Sequence, residues 1–206
     1  MRIALLGATG RVGGRLLEYV LRDRHELTLL VRTPDKLASV LDRVKVIEGN
    51  VLHERALNEA VKDADAVVSA LGTDGGTTLS VMMPMLIKAM QQRNVNRLIA
   101  IGTAGVLDSR TEPGLLRYQS SESRRTLTRA AEEHHAMLHA MQQSELDWTL
   151  VCPTYLPDGE YTGVYRTEKD YLPLDGKQIS VPDTADFAYR QLDSREFVCS
   201  RVGIAY

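Results

Sequence analysis

The chain has 206 residues and a mass of 22.9 kDa, about the size of a single domain. Hydrophobic residues at 44% and charged residues at 25% are enough to build a core and exclude wholesale disorder. Lys plus Arg total 25 against 27 for Asp plus Glu, a net charge of -2, which argues against a sequence-independent grip on nucleic acid or anionic lipid.

Ile3-Ala4-Leu5-Leu6 is a short apolar run closed by Gly7 and predicts a strand buried on both faces. Val12, Leu16 and Val20, with Leu17 and Leu21 beside them, recur at helical spacing and predict the first helix. After the charged break Arg22 to Glu26, Leu27 to Val31 reads as a second strand. Pro34 opens a short helix, Val44 to Ile47 a third strand, Glu54 to Lys62 a helix, and Ala66 to Ala70 a fourth strand ending at Gly72. A helix over Thr78 to Arg93, kinked or restarted at Pro84, leads to a fifth strand at Leu98 to Ile101. A long helix over roughly Glu122 to Gln143 precedes a sixth strand, Trp148 to Val151, stopped by Cys152-Pro153. The pattern then loosens until a helix from about Thr184 to Leu192 and a last strand near Arg201 to Tyr206.

Strands alternating with helices predict one α/β domain over 1–206, a doubly wound, mostly parallel sheet of the Rossmann kind with helices on both faces. Residues 153–206 are expected to contribute a small substrate-side lobe. Such sheets bind ligands at the carboxyl ends of their strands, where strand order reverses. That directs attention to Gly7, Arg32, Asn50, Gly72, Thr103 and Pro153. No apolar run reaches the roughly 20 residues of a membrane span, and Met1-Arg2 enters structure without a signal-peptide pattern. Cys152 and Cys199 match no metal or redox spacing and read as reduced thiols. The expectation is a cytoplasmic protein with no membrane or nucleic-acid partner.

Gly7-Ala8-Thr9-Gly10-Arg11-Val12-Gly13 joins the first strand to the first helix. Its glycines permit a tight turn and let backbone N–H groups along the loop approach a pyrophosphate. The positive end of the helix beginning near Arg11 faces that dianion, and Gly13 lets the helix lie close to the sheet. In an NAD site an acidic residue about 20 positions past the glycines bonds the ribose 2′-hydroxyl. Here that place belongs to Arg32, in Val31-Arg32-Thr33-Pro34-Asp35-Lys36. A guanidinium cannot accept that bond but suits a 2′-phosphate through a bidentate contact, so NADP is the expected cofactor.

Taken in order, that loop, Val31-Arg32, Gly49-Asn50-Val51, Asp65 to Gly72 and Leu146 to Pro153 make the chain resemble the atypical short-chain dehydrogenase/reductases with an NAD(P)H-binding domain. Glu133-His134, Pro153-Thr154-Tyr155-Leu156, Thr162-Gly163-Val164-Tyr165 and the Leu174-Asp175-Gly176 turn are similar to the biliverdin reductase B/flavin reductase branch. The resemblance implies an NADPH-dependent oxidoreductase passing hydride to a flat conjugated acceptor: flavin, quinone or tetrapyrrole. It implies Asn50 and Val51 beside the adenine, Ala70, Leu71 and Gly72 beside the ribose and pyrophosphate, and Thr103 near the nicotinamide. It also implies His134 near the substrate end and a monomeric protein. Tyr155 takes the place of a histidine in the biliverdin reductases. A neutral phenol cannot replace an imidazole as proton donor at neutral pH, which counts against biliverdin as substrate. A different class, similar to the NmrA-like regulators, would bind NADP and signal through a partner without turnover.

Carbonyl reduction in typical short-chain dehydrogenases needs Tyr-x-x-x-Lys on the helix after the fifth strand. The only match, Tyr165 to Lys169, falls after the sixth strand, and Tyr118 is followed four residues later by Glu122, of the wrong charge. Flavin reduction needs less, because the acceptor ring can take its proton from water and positioning supplies most of the protein's contribution. Thr103 and Tyr155 are expected to hold the two rings, with His134 as a third candidate catalytic residue. His135 and His139 stand four apart on a helix, but a third metal ligand is lacking and they read as solvent-facing. Tyr155, Tyr161, Tyr165 and Tyr171 read either as lining for an acceptor pocket or as packing for the C-terminal lobe.

Overall fold

The computed structural model describes residues 1–123 and 126–206. Eight strands appear in chain order: β1 (Arg2–Leu6), β2 (Glu26–Val31), β3 (Lys45–Glu48), β4 (Ala66–Ser69), β5 (Arg97–Ile101), β6 (Asp147–Pro153), β7 (Arg166–Lys169) and β8 (Ser200–Ala205). They form one sheet in the order β3-β2-β1-β4-β5-β6-β8-β7. Every pairing is parallel except that of β7 with β8. Five helices connect them: α1 (Arg11–Arg22), α2 (Glu54–Ala60), α3 (Thr78–Gln92), α4 (Arg129–Gln142) and α5 (Val181–Arg190). Side chains alternate across the strands, so Ala4 and Leu6 join the core beneath α2, α3 and α4, while Ile3 and Leu5 join the core beneath α1 and α5. Burial on both faces is why the central strands read as continuous apolar runs. Strand order reverses at β1, which has β2 on one side and β4 on the other. The crevice outside the carboxyl ends of β1 and β4 is therefore the place for a ligand.

Several elements differ from the sequence expectation. β7 is Arg-Thr-Glu-Lys, an edge strand with no apolar residue and nothing for a hydrophobic pattern to register. The helix after β5 begins at Arg129 rather than near Glu122. The expected start overlaps residues 124–125, which lie outside the described residues, and Glu122 itself is taken up by hydrogen bonds to the loop at 109–111. α3 runs from Thr78 to Gln92 with Pro84 inside it. Pro84 cannot donate to the Ser80 carbonyl, but it faces solvent while Met82, Met83, Leu86 and Met90 are fully buried and hold the helix down. α5 starts three residues ahead of Thr184, where the Ser180 hydroxyl caps the Asp183 amide at 3.2 Å and Pro182 occupies the first turn. α5 and β8 are built into the α1 layer and the sheet.

Candidate functional site

The turn from β1 into α1 is made by two glycines that no other residue could replace. Gly7 has φ +85°, and a Cβ there would stand 2.7 Å from the Ala70 carbonyl oxygen. A Cβ on Gly13 would stand 2.0 Å from the Gly7 oxygen, so this residue sets how closely α1 approaches the strand. The Gly10 amide donates to the Gly7 carbonyl at 3.0 Å, and the Gly14 amide donates to Gly10 at 2.8 Å as the first bond of the helix. The amides of Arg11, Val12 and Gly13 are left without intrahelical acceptors, and Gly10 provides no side-chain cap. Three unsatisfied donors at the positive end of a helix, with no side chain in the way, suit a diphosphate.

This turn borders a cleft of about 220 Å³ lined by Gly7, Thr9, Gly10, Arg32, Asn50, Val51, Ala70, Leu71 and Gly72. Nine of the residues singled out in the sequence thus converge there from the ends of four strands. Val12 is buried in the core and Gly13 against the turn, and neither lines the cleft. Asn50 accepts from the Leu52 amide through Oδ1 at 3.0 Å, which leaves its NH₂ group to donate. Arg32 is exposed at the tip of β2. Asp74, also part of the lining, was not among the expected residues. Its carboxylate accepts from the Thr78 hydroxyl at 2.9 Å and the Gly76 amide at 3.1 Å. Those bonds, with the charge of Arg32, hold its carboxyl below the ordinary 3.8. The rule that ligands gather where strands end stopped the sequence reading at Gly72, two residues short.

A second cleft of about 700 Å³ lies over the ends of β5 and β6 and includes Arg11, Thr73, Thr103, Tyr118, His134 and Tyr155. It adjoins the first at Gly72-Thr73 and at the start of α1. Thr103 accepts from the Gly105 amide at 3.3 Å, so its own hydroxyl hydrogen remains free to donate. Tyr155 is 64% exposed, with its carbonyl accepting from the Ile179 amide at 3.0 Å. His134 is 8% exposed, and its Nδ1 has no partner among the described residues. Burial pushes its pKa down to about 4 against the opposing charge of Glu133, so at neutral pH it is an uncharged imidazole. That rules out imidazolium as a proton source there and leaves His134 a hydrogen-bonding role. The Arg11 guanidinium donates to the Leu156 carbonyl at 2.9 Å and to Asp158 at 3.0 Å, strapping the segment after β6 to the start of α1. The sequence placed Arg11 at the phosphates; it lines the second cleft instead of the first, and its side chain is bonded into this strap.

No tyrosine–lysine pair stands in the second cleft among the described residues. The Tyr118 hydroxyl lies 3.0 Å from His135 Nδ1. Glu122 is nearly buried, paired with Arg117 and accepting from Ser109 at 2.8 Å and from the Thr111 amide at 3.1 Å. Tyr165 donates to Asp186 at 2.8 Å, and burial together with that bond drives its pKa upward, so it is a poor acid. Tyr171 lies under the Arg110 guanidinium. Of the four tyrosines late in the chain, only Tyr155 lines the cleft.

A family model described as NAD(P)H-binding matches residues 7–195. The uncharacterized protein YwnB of Bacillus subtilis is 29% identical over 201 residues, covering 95% of this chain and 92% of that protein. A Bacteroides thetaiotaomicron structure, provisionally named an epimerase, is 30% identical with a TM-score of 0.85, covering 100% of this chain and 96% of the other. Two further structures share the fold over 100% of this chain. One is a provisionally named NADH-flavin reductase from Streptococcus pneumoniae (TM-score 0.80, 21% identity, 99% of that chain). The other is ChuY, an anaerobilin reductase from Escherichia coli O157:H7 (TM-score 0.83, 20% identity, 97% of that chain).

Proposed function

The chain belongs to the NAD(P)H-binding family, within the atypical short-chain dehydrogenase/reductases, and we propose that it is an NADPH-dependent reductase of a flat conjugated acceptor, flavin first. The observation that carries this reading is the adjacency of the two clefts. A narrow one, at the glycine turn into α1, lies beside a wider one of about 700 Å³ that has no tyrosine–lysine pair among the described residues. Its size lies in the ordinary range for small-molecule sites. Two proteins of the same fold, named as flavin and anaerobilin reductases, lend support to a planar acceptor.

In this reading the amides of Arg11, Val12 and Gly13 hold the diphosphate, Arg32 grips the 2′-phosphate, and Asn50 and Val51 face the adenine. Ala70, Leu71 and Gly72 bound the ribose. When bound, the nicotinamide supplies the hydride. Thr103 donates a hydrogen bond that orients the coenzyme's reactive end, and Tyr155 offers its ring face to the acceptor. His134 positions without protonating, and the acceptor's proton comes from water. Arg11, by fixing the segment that carries Tyr155, keeps the mouth of the second cleft in place. The test is loss of NADPH absorbance with FMN, riboflavin and a quinone, alongside direct NADPH binding. Tight coenzyme binding with no oxidation across that panel would refute the reductase and favour a dinucleotide sensor.

A further inference from the structure

The second cleft ends on another unsatisfied helix start. Thr128 precedes α4, but its hydroxyl donates to Glu132 at 2.7 Å and caps no backbone amide. The first backbone bond of α4 runs from the Glu132 amide to the Thr128 carbonyl at 2.9 Å. The amides of Arg129, Ala130 and Ala131 therefore have no intrahelical acceptor, and Ala130 and Ala131 line the cleft. One turn further on, His134 lines the same cleft, more than nine-tenths buried, with Nδ1 unpartnered. An orphaned buried polar atom costs stability unless something in the cleft satisfies it.

The charges around this helix start are uneven. Arg129 is exposed and forms no ion pair with any described residue, and it borders the adjoining hollow beside Gly75 and Gly76. The nearby carboxylates all accept hydrogen bonds, but Glu132 and Glu133 accept them from neutral donors and keep their charge. Glu133 accepts from both the Ser80 amide at 3.2 Å and the Ser80 hydroxyl at 3.0 Å, Glu122 is paired with Arg117, and Glu132 is bonded to Thr128. Against that charge, the free amides at the helix start, the unpartnered His134 imidazole and the exposed Arg129 guanidinium together offer an anion several donors. We propose that the start of α4, with Arg129 and His134, is a subsite for an anionic group, a phosphate monoester or a carboxylate, carried by the acceptor. This rests on the reading of the second cleft as the acceptor site.

Calorimetry on the protein saturated with NADP+ tests it with two matched pairs: FMN against riboflavin, and biliverdin against its dimethyl ester. The expected result is a dissociation constant about tenfold lower for the anionic member of at least one pair. Which pair discriminates identifies phosphate or carboxylate as the favoured group. Inorganic phosphate should compete with the anionic member and not with its uncharged partner. Arg129→Gln should shrink the ratio severalfold, and Arg129→Lys should keep most of it. Equal affinities within both pairs, or a ratio unmoved by Arg129→Gln, overturn the subsite. Discrimination without any NADPH oxidation sustains the subsite and overturns the reductase reading instead.

Discussion

Replacing Arg32 with alanine tests the coenzyme assignment most directly. Arg32 has no ion pair among the described residues, so its removal leaves no partner orphaned in the free protein. The change in affinity then reports the ligand contact together with the lost screening of Asp74. Hydrogen bonds to charged groups contribute about 1.5–3 kcal/mol. At an exposed, salt-screened position the lower part of that range applies, roughly 1.5–2 kcal/mol, or a 10- to 30-fold rise in the NADPH dissociation constant. NADH, lacking the 2′-phosphate, should change less than about twofold. Asp74 sharpens the test. Its carboxyl sits below 3.8, so it is ionised at neutral pH on the same cleft as Arg32 and opposes a 2′-phosphate. Asp74→Asn keeps an acceptor for the Gly76 amide and turns an NH₂ donor toward the Thr78 hydroxyl, which can accept it, while removing that charge, and should tighten NADPH severalfold with NADH unmoved. Fluorescence titration of both coenzymes at two salt concentrations measures all of this, and the NADPH advantage should narrow as salt rises. If Arg32→Ala weakens the two coenzymes equally, the assignment to the 2′-phosphate is wrong.

Gly13 and Gly14 are adjacent on α1 yet should respond in opposite directions to alanine. Gly13→Ala drives a Cβ to 2.0 Å from the Gly7 oxygen and should cost about 1–3 kcal/mol or more, with loss of NADPH binding. Gly14→Ala meets nothing closer than 3.7 Å and should be neutral or stabilising by up to about 1 kcal/mol, as thermal melts will show. His134 has its pKa lowered from 6.5 to about 4, so between those values the unfolded chain binds more protons than the folded one. Stability should therefore fall as pH drops from about 6.5 towards 4, by about 3 kcal/mol in all, and His134→Gln should flatten that slope in urea titrations. For Glu122, burial raises the pKa, but the bonds from Ser109, Thr111 and Arg110 and the charge of Arg117 outweigh it, leaving the value below 4.5. Its contribution is complete above 4.5 and disappears as pH falls through the folded value, so Glu122→Gln should lower stability at neutral pH but have less effect in acid.

Most of the first cleft was legible in the sequence because its parts sit shortly after periodic elements. Gly7 follows an apolar strand, Arg32 follows another, and Gly72 a third, so locating the strands located the lining of the cleft. The parallel sheet itself was legible for the same reason: strands covered on both faces must be apolar throughout. The acceptor half follows no such rule. Its walls come from the stretches between β5 and α4 and between β6 and α5, where hydrogen bonds rather than periodic apolar residues set the backbone. Glu122 gathers the loop at 109–111, and Asp183, itself fully buried, receives the Thr162 and Gly163 amides and the Tyr206 hydroxyl. Arg11 reaches the carbonyl of Leu156 across most of the chain. Partners so far apart leave no mark on local spacing, and a charged edge strand such as β7 leaves none either. The same contrast separates the two clefts in how much substitution each can take. The glycine turn tolerates almost no substitution, because its atoms already touch backbone. The walls of the second cleft are held by side-chain bonds, and exchanging one of those should reshape that cleft more readily than any change at the glycine turn.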